Sequence, residues 1–178
     1  MDFTIEKSKK IDGVFIIKPS ISIDLRGNIW TSFLNDRIEK FLPKNIRFVH
    51  DKFSLSNKNV LRGIHGDYKS WKLVTCVYGD IQQVVVDFRM DSKTYLSWQD
   101  FSINQNNQLL LLIPPKVGNA YYVKSNEAVY HYKYAYDGKY SDVDKQFSVK
   151  WNDKKIGIKW VSSNPILSER DLKAKKYE

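Results

Sequence analysis

Residues 128–136 read AVYHYKYAY, and the alternation within this stretch decides the fold class. Tyrosine occupies every second position from 130 to 136, and His131 and Lys133 fall between the tyrosines. Successive side chains of a β-strand point to opposite faces of the sheet. The period of two therefore predicts a strand that carries its four tyrosines on one face and His131 on the other. A row of phenol groups is suited to line the interior of a barrel, where it can meet a polar ligand.

The rest of the chain repeats this pattern of short strand-like segments. Further strands are predicted at 14–17, 29–34, 48–55, 72–78, 81–88, 109–113 and 120–123. Turn-forming Gly, Asn and Asp residues separate them. Short helices are predicted near 36–41 and after Ser168. Many closely spaced strands with few helical segments indicate an all-β protein, an antiparallel sandwich or barrel, in one domain spanning residues 1–178.

Composition and charge argue against several classes of protein. The chain has 178 residues, of which 42% are hydrophobic, so it can form a packed core. No apolar run approaches the ~20 residues of a membrane span, and the N-terminus lacks the apolar segment of a secretion signal. The formal net charge is +9, but the lysines are scattered and no nucleic-acid-binding motif is present. We therefore expect a cytoplasmic protein with no membrane or nucleic-acid partner, whose charge suits a small anion such as a nucleotide diphosphate.

The residues available for chemistry favour acid–base catalysis over metal or thiol catalysis. Cys76 is the only cysteine, which excludes an intramolecular disulfide and a cysteine-based zinc site. The histidines are His50, His65 and His131, with no His-x-His pair, so no metal site is expected. Histidine titrates near neutral pH and can act as a base, tyrosine can act as an acid, and lysine can stabilise an enolate oxygen. Composition alone does not choose among these candidates.

A series of motifs along almost the whole chain resembles the dTDP-4-dehydrorhamnose 3,5-epimerase family. VLRGIH at 60–65 resembles its Leu-Arg-Gly-Leu-His motif, and DLRGNIW at 24–30 its Asp-x-Arg-Gly turn. KLVTCVYGDIQQVVVDFR at 72–89 is similar to Lys-Leu-Val-x-Val-x-x-Gly-x-x-x-Asp-Val-x-Val-Asp-x-Arg. IPPKVGNAYYV at 113–123 stands in the place of Ile-Pro-x-Gly-Phe-Ala-His-Gly-Phe. FVHDKFSLSNKNVLRGIH, WNDKKIGIKW and PILSERD match further segments in the same order.

The resemblance implies a cupin-type antiparallel β-barrel, or jelly roll, that forms a homodimer by exchanging N-terminal strands. It implies epimerisation of a nucleotide-diphospho-4-keto-6-deoxy sugar with no metal and no organic cofactor. His65 matches the family's catalytic base, Asp171 the carboxylate that orients this base, and Tyr132 the acid. The two glycines beside His65 are expected to let the backbone approach the sugar closely.

The resemblance also implies a set of substrate-binding residues. Lys72 matches a lysine close to the substrate oxygens, and Arg26 and Arg62 match arginines that face the substrate or its phosphates. Lys72 and Arg26 could instead be surface charges. Asp171 follows Ser168 by three residues, as in a helix capping box, so it could serve as a helix cap, as a catalytic residue, or as both.

Two departures from the family motifs bear on the substrate. Asn119 replaces a histidine; an amide cannot titrate but can still hydrogen-bond a ketone or enolate oxygen. His50 and Lys52 replace Gln and Asn near the nucleotide. Together these changes favour a GDP-linked over a dTDP-linked substrate, as in the GDP-6-deoxy-4-keto-heptose epimerases of capsule or lipopolysaccharide synthesis. The alternatives are a dTDP-4-keto-6-deoxyglucose 3,5-epimerase, a 3,4-ketoisomerase with the same barrel, and a non-catalytic sugar-binding cupin.

Overall fold

A computed structural model describes residues 2–177, and β-strands make up most of its regular structure. The strands, numbered in chain order, are β1 Phe3–Lys7, β2 Phe15–Pro19, β3 Ser22–Asp24, β4 Gly27–Ile29, β5 Arg47–Asn57, β6 Leu61–Gly66, β7 Trp71–Tyr78, β8 Asp80–Asp87, β9 Trp98–Asn104, β10 Leu110–Ile113, β11 Val117–Val123, β12 Glu127–Tyr136 and β13 Phe147–Ser148. The helices are short: α1 Asn35–Ile38, α2 Glu169–Leu172, and 3₁₀ turns at Glu39–Phe41 and Val143–Lys145.

The strands form two antiparallel sheets that pack face to face. The first sheet has six strands in the order β1-β2-β10-β7-β12-β5, and the second has five in the order β13-β6-β11-β8-β9. Strands β3 and β4 form a separate hairpin. Within the described residues neither sheet closes on itself. The predicted all-β, antiparallel cupin-type fold is confirmed, as two facing sheets rather than a closed barrel.

The core lies between the two sheets. Its main cluster combines Val74 and Leu111 from the six-stranded sheet with Val85 and Tyr121 from the five-stranded sheet. Strand β8 is buried along almost its whole length, as is typical of a central strand covered on both faces. Tyr130 of β12 stacks on Tyr121 of β11 with ring centroids 4.2 Å apart, so aromatic packing joins the sheets in their interior.

Most of the predicted strands are confirmed, and one is wrong over most of its length. Segments 48–55, 72–78, 81–88 and 128–136 correspond to β5, β7, β8 and β12. Segment 29–34, in contrast, belongs to a strand only at its first residue, because β4 ends at Ile29. Its apolar side chains pack without backbone pairing: the ring of Phe33 lies 5.1 Å from that of Phe48. Both predicted helices are present, at 35–41 and after Ser168.

The glycines beside His65 serve packing between strands rather than approach of a sugar. Gly63 has φ of 129°, and a Cβ there would overlap Ala120 of the neighbouring strand β11. A Cβ at Gly66 would overlap the ring of Phe147 on β13. The expectation that these glycines admit the sugar is therefore wrong, since protein atoms already occupy both spaces.

No helix within residues 2–177 is long and apolar enough to cross a membrane.

Candidate active site

A cavity of about 260 Å³ opens between the two sheets and gathers most of the predicted site residues. Strands β5, β6, β7, β11 and β12 line it, together with residues 140–146 and the first turn of α2. The predicted site residues on its wall are Lys52, Arg62, His65, Lys72, Asn119, Tyr132 and Asp171. The side chains that the sequence prediction did not single out as site residues are Ser54, Tyr134, Tyr140, Val143, Gln146, Ser168 and Arg170.

His65 and Asp171 form a hydrogen-bonded pair in the cavity wall. Nε2 of His65 lies 2.5 Å from Oδ1 of Asp171, which is 2% exposed, whereas 25% of the His65 side chain is exposed. An ionised carboxylate only accepts hydrogen bonds, so Nε2 carries the proton of the neutral imidazole. This leaves Nδ1 with a free lone pair, and within residues 2–177 it has no hydrogen-bond partner. The pair therefore holds the imidazole in the tautomer that a proton-abstracting base needs.

The same carboxylate is also tied to the start of α2. Ser168 is the N-cap of this helix, and its hydroxyl oxygen accepts a hydrogen bond of 3.2 Å from the backbone N–H of Asp171. The hydroxyl donates in turn to Oδ2 of Asp171 at 2.9 Å. The cap is thus Ser168, and Asp171 is positioned by it with one oxygen left for His65. Of the two interpretations raised by the sequence, the side chain of Asp171 does not cap the helix, and its place beside His65 is the one that the geometry supports.

Tyr132 lines the cavity from β12, a strand of the other sheet. Its ring packs between those of Tyr130 at 4.6 Å and Tyr134 at 5.7 Å, so the predicted tyrosine face is real. His131 points away from the cavity, as predicted, and pairs with Asp51 at 2.6 Å. Burial raises the pKa of Tyr132 well above its ordinary value, while the positive charge of Arg62 opposes this shift. The phenol therefore stays protonated and is available as an acid.

Four Lys and Arg side chains line the cavity: Lys52, described below, and Arg62, Lys72 and Arg170, of which Arg170 was not anticipated. Lys72 is 4% exposed, with Nζ 3.4 Å from Oδ2 of Asp67, and burial lowers its pKa. Arg62 donates from Nε to the Ser56 hydroxyl at 2.9 Å. Arg170 donates from Nε to the Ser148 hydroxyl at 2.7 Å. Its Nη2 is buried and has no hydrogen-bond partner within residues 2–177. The side chain of Arg170 lines the cavity, and its positive charge is suited to attract an anion there. In the sequence, Arg170 could have been found from its position next to Asp171.

Asn119 is the nearest residue across the strands from His65. The register of β11 on β6 pairs these two residues directly, which brings the amide to the side of the imidazole. Asn119 is 6% exposed and lines the cavity. The histidine of the family motif is thus replaced by a neutral side chain at a position where it can contact a ligand.

His50 and Lys52 lie around Tyr140 at the edge of the site. The ring of His50 packs 4.7 Å from that of Tyr140 and 5.3 Å from that of Tyr134, behind the cavity wall. Lys52 reaches over Tyr140, with Nζ 4.9 Å from the ring centroid and 3.2 Å from the hydroxyl oxygen. Lys52 therefore lines the cavity, whereas His50 supports a residue that does.

Arg26 is not part of this cavity. It lies at the turn between β3 and β4, its side chain is 89% exposed, and it pairs with Asp24 at 2.5 Å. The expectation that Arg26 faces the substrate is not met within one chain, because Arg26 is not among the residues that line the cavity. Within residues 2–177 there is also no cluster of three or more His, Cys, Asp or Glu side chains that could hold a metal ion.

Comparisons with known proteins agree with this geometry. The family model described as dTDP-4-dehydrorhamnose 3,5-epimerase matches residues 8–178. The enzyme of that name from Shigella flexneri is 34% identical over 171 residues, which cover 94% of this chain and 93% of the relative. A dTDP-4-dehydrorhamnose 3-epimerase from Streptomyces niveus is 30% identical, covering 92% of this chain and 79% of the relative.

A solved structure extends the likeness to three dimensions. It is the dTDP-6-deoxy-D-glucose-3,5-epimerase of Legionella pneumophila in complex with dTDP-4-keto-L-rhamnose. The TM-score is 0.89 at 33% identity, with 98% of this chain and 92% of that chain covered. Sequence motifs, fold and matched length agree, and the chain therefore belongs to the dTDP-4-dehydrorhamnose 3,5-epimerase family.

Proposed function

We propose that this epimerase inverts C3, C5 or both of a nucleotide-diphospho-4-keto-6-deoxy sugar by acid–base enolisation. One observation carries the proposal: the base and the acid stand on facing sheets, His65 on β6 and Tyr132 on β12, and line the same cavity. A sugar ring bound between them meets one group on each face. Inversion of a carbon needs this arrangement, since one face loses a proton and the other gains one.

The steps follow from the residues. The C4 ketone acidifies the hydrogens on C3 and C5, and Nδ1 of His65 takes one of them, which leaves an enolate. Asp171 stabilises the imidazolium that forms. The hydroxyl of Tyr132 returns a proton to the same carbon from the other face, and Arg62 stabilises the tyrosinate that results. Exchange with water then restores both groups.

The cations would hold the charged parts of the substrate. Lys72 is deeply placed and suits an oxygen of the sugar, where its ammonium would offset enolate charge. Arg170 and Arg62, which both line the cavity, suit the diphosphate. Tyr140 is half-buried beside the cavity and offers a ring on which a nucleobase could stack.

We favour a dTDP-linked sugar over a GDP-linked one, against the expectation from His50 and Lys52. The named relatives are dTDP-sugar enzymes, which supports dTDP. The contacts of His50 and Lys52 also weaken the case for GDP, since both residues pack on aromatic rings. Calorimetric titration with both nucleotides tests the choice. We expect tighter binding of dTDP; tighter binding of GDP would restore the heptose hypothesis.

The homodimer remains part of the proposal. Edge strand β5 exposes the apolar side chains Val49, Phe53 and Leu55, and the β3–β4 hairpin exposes Leu25, so both could pack against a second copy. Exchange of this hairpin would carry Arg26 to the partner's cavity. Mixing inactive Arg26→Ala and His65→Asn chains should then restore up to about a quarter of wild-type activity, because half of random dimers are mixed and each has one intact site. No recovery on mixing, with both variants dimeric, would contradict the exchange.

Deuterium incorporation tests the reaction itself. The protein would be incubated in D2O with dTDP- or GDP-linked 4-keto-6-deoxy sugar, with and without EDTA, and C3 and C5 would be followed by NMR. We expect deuterium at one or both carbons, with inverted configuration and no effect of EDTA. A moved ketone would indicate a ketoisomerase, and binding without any exchange would indicate a non-catalytic sugar-binding protein.

A further inference from the structure

A fully buried amide lies directly behind the cavity, at Gln83 on β8. Its side chain is 0% exposed, and each of its polar atoms has a partner. Nε2 donates to the backbone carbonyls of Val84 at 3.0 Å and Ala120 at 2.9 Å. Oε1 accepts a hydrogen bond of 2.5 Å from the hydroxyl of Tyr130. Backbone carbonyls can only accept, so the amide nitrogen of Gln83 has to face them, and its orientation is fixed.

The fixed orientation of Gln83 determines that of Asn119. Oδ1 of Asn119 lies 2.7 Å from Nε2 of Gln83, whose two hydrogens are shared between this oxygen and the two carbonyls. Because an amide nitrogen can only donate, the oxygen of Asn119 has to face it. The hydroxyl of Tyr130 lies 3.3 Å from the same oxygen, but its single hydrogen goes to Oε1 of Gln83 at 2.5 Å. Gln83 therefore holds Oδ1 on the protein side, and Tyr130 holds Gln83. Nδ2 is the end left over, and within residues 2–177 it has no hydrogen-bond partner.

The free amide group lies where the proposed reaction develops charge. Asn119 lines the cavity and pairs across the strands with His65, the base. Removal of a proton beside the ketone moves negative charge onto the C4 oxygen, and a preorganised N–H donor lowers the energy of that state. An amide rotated by 180° would present Oδ1 instead and repel the enolate.

We propose that Gln83 is a positioning residue, which sets the amide of Asn119 so that Nδ2 donates to the C4 oxygen of the sugar. The inference rests on the proposed function and adds residues that do not touch the substrate. The family motifs quoted above have Asp and His at positions 83 and 119, so two ionisable residue types are replaced here by two amides. The donor is consequently neutral at every pH at which the protein is folded.

A double-mutant cycle tests whether Gln83 acts through Asn119. Gln83→Met keeps the length of the side chain and removes its donors. Asn119→Ala should lower kcat on the order of 10², the effect of losing one oxyanion donor. Gln83→Met should lower kcat about 10-fold with little change in KM. When Asn119→Ala is already present, adding Gln83→Met should lower kcat by less than about a further factor of two. Gln82→Met is the matched control: this neighbouring buried amide bonds Asp100 and Lys159, away from the site, and should leave kcat unchanged.

Each outcome of the cycle either supports or overturns the positioning role of Gln83. An equal loss from Gln83→Met in both backgrounds, or no loss in either, would overturn the positioning role while the wild-type enzyme remains active. An inactive wild type would overturn the proposed function itself. If Gln83→Met does not fold, Tyr130→Phe removes only the hydroxyl that bonds Oε1. Its loss of kcat, about threefold, should vanish in the Asn119→Ala background, and a loss that persists there would refute the inference.

Discussion

Replacing Asp171 by Asn changes the tautomer of the base without changing the shape of the site. Oδ1 of Asp171 accepts from Nε2 of His65 at 2.5 Å, and Oδ2 accepts from the Ser168 hydroxyl at 2.9 Å. In Asp171→Asn the oxygen is expected to stay with Ser168, so the new NH2 group faces His65. The imidazole then has to accept at Nε2, and its proton moves to Nδ1. Nδ1 is the nitrogen that takes the sugar proton, so the base loses its lone pair.

The size of the effect follows from the burial of the pair. Asp171 is 2% exposed and 25% of the His65 side chain is exposed, so water screens the imidazolium–carboxylate attraction only in part. In a Ser-His-Asp triad, exchange of the carboxylate for an amide gives the wrong tautomer and lowers turnover about 10⁴-fold. Because part of the His65 side chain is exposed, we expect turnover here to fall roughly 10²- to 10⁴-fold.

Ser168→Ala is the matched control, because it removes the helix cap and keeps the carboxylate. Loss of an N-cap costs about 0.5–2 kcal/mol of unfolding free energy, and turnover should change far less. Deuterium exchange at C3 and C5 gives the rates, and thermal unfolding gives the stabilities. Asp171→Asn should lose activity with a small shift in Tm. Ser168→Ala should keep most of its activity and show the larger fall in Tm. An Asp171→Asn enzyme that melts early but turns over at the wild-type rate would refute the pairing of base and carboxylate.

Other variants separate the remaining roles. Tyr132→Phe should keep part of the deuterium exchange, because His65 can return deuterium to the face it deprotonated, but should lose most inversion; inversion at the wild-type rate would remove Tyr132 as the acid. Arg170→Met should raise KM about 10- to 100-fold, the loss of a charge-assisted hydrogen bond, whereas Lys173→Met on the exposed side of the same helix should not. Burial lowers the pKa of Lys72, and the negative charge of a diphosphate bound in the same cavity favours the charged form of the amine. Binding should therefore take up protons at alkaline pH, below the ordinary lysine value of 10.5, as measured by calorimetry in buffers of different ionisation enthalpy.

The sequence predicted the elements that carry a strong period and missed those that do not. Strands β8 and β12 were predicted closely, because β8 contains Ile81 and three consecutive valines and β12 alternates tyrosines with other residues. Strand β9 was missed, because only Phe101 and Ile103 alternate with polar residues, which gives a short and weak period of two. Segment 29–34 was assigned wrongly for the opposite reason: aromatic and aliphatic residues favour a strand, but no partner strand lies beside it after Ile29.

The candidate site was predicted from motifs, but the motifs do not show which residue of a strand lies at the cavity and which lies deeper in the core. Alternation places Tyr130, Tyr132 and Tyr134 on one face, and that is correct, yet it cannot say which of them reaches the cavity. Tyr130 lies one step deeper and gives its hydroxyl to Gln83, so it is not free to protonate a sugar. Tyr134 lines the cavity beside Tyr132. If Tyr132→Phe still inverts the sugar, Tyr134 is therefore the next acid to test on this strand, and Tyr130 is not.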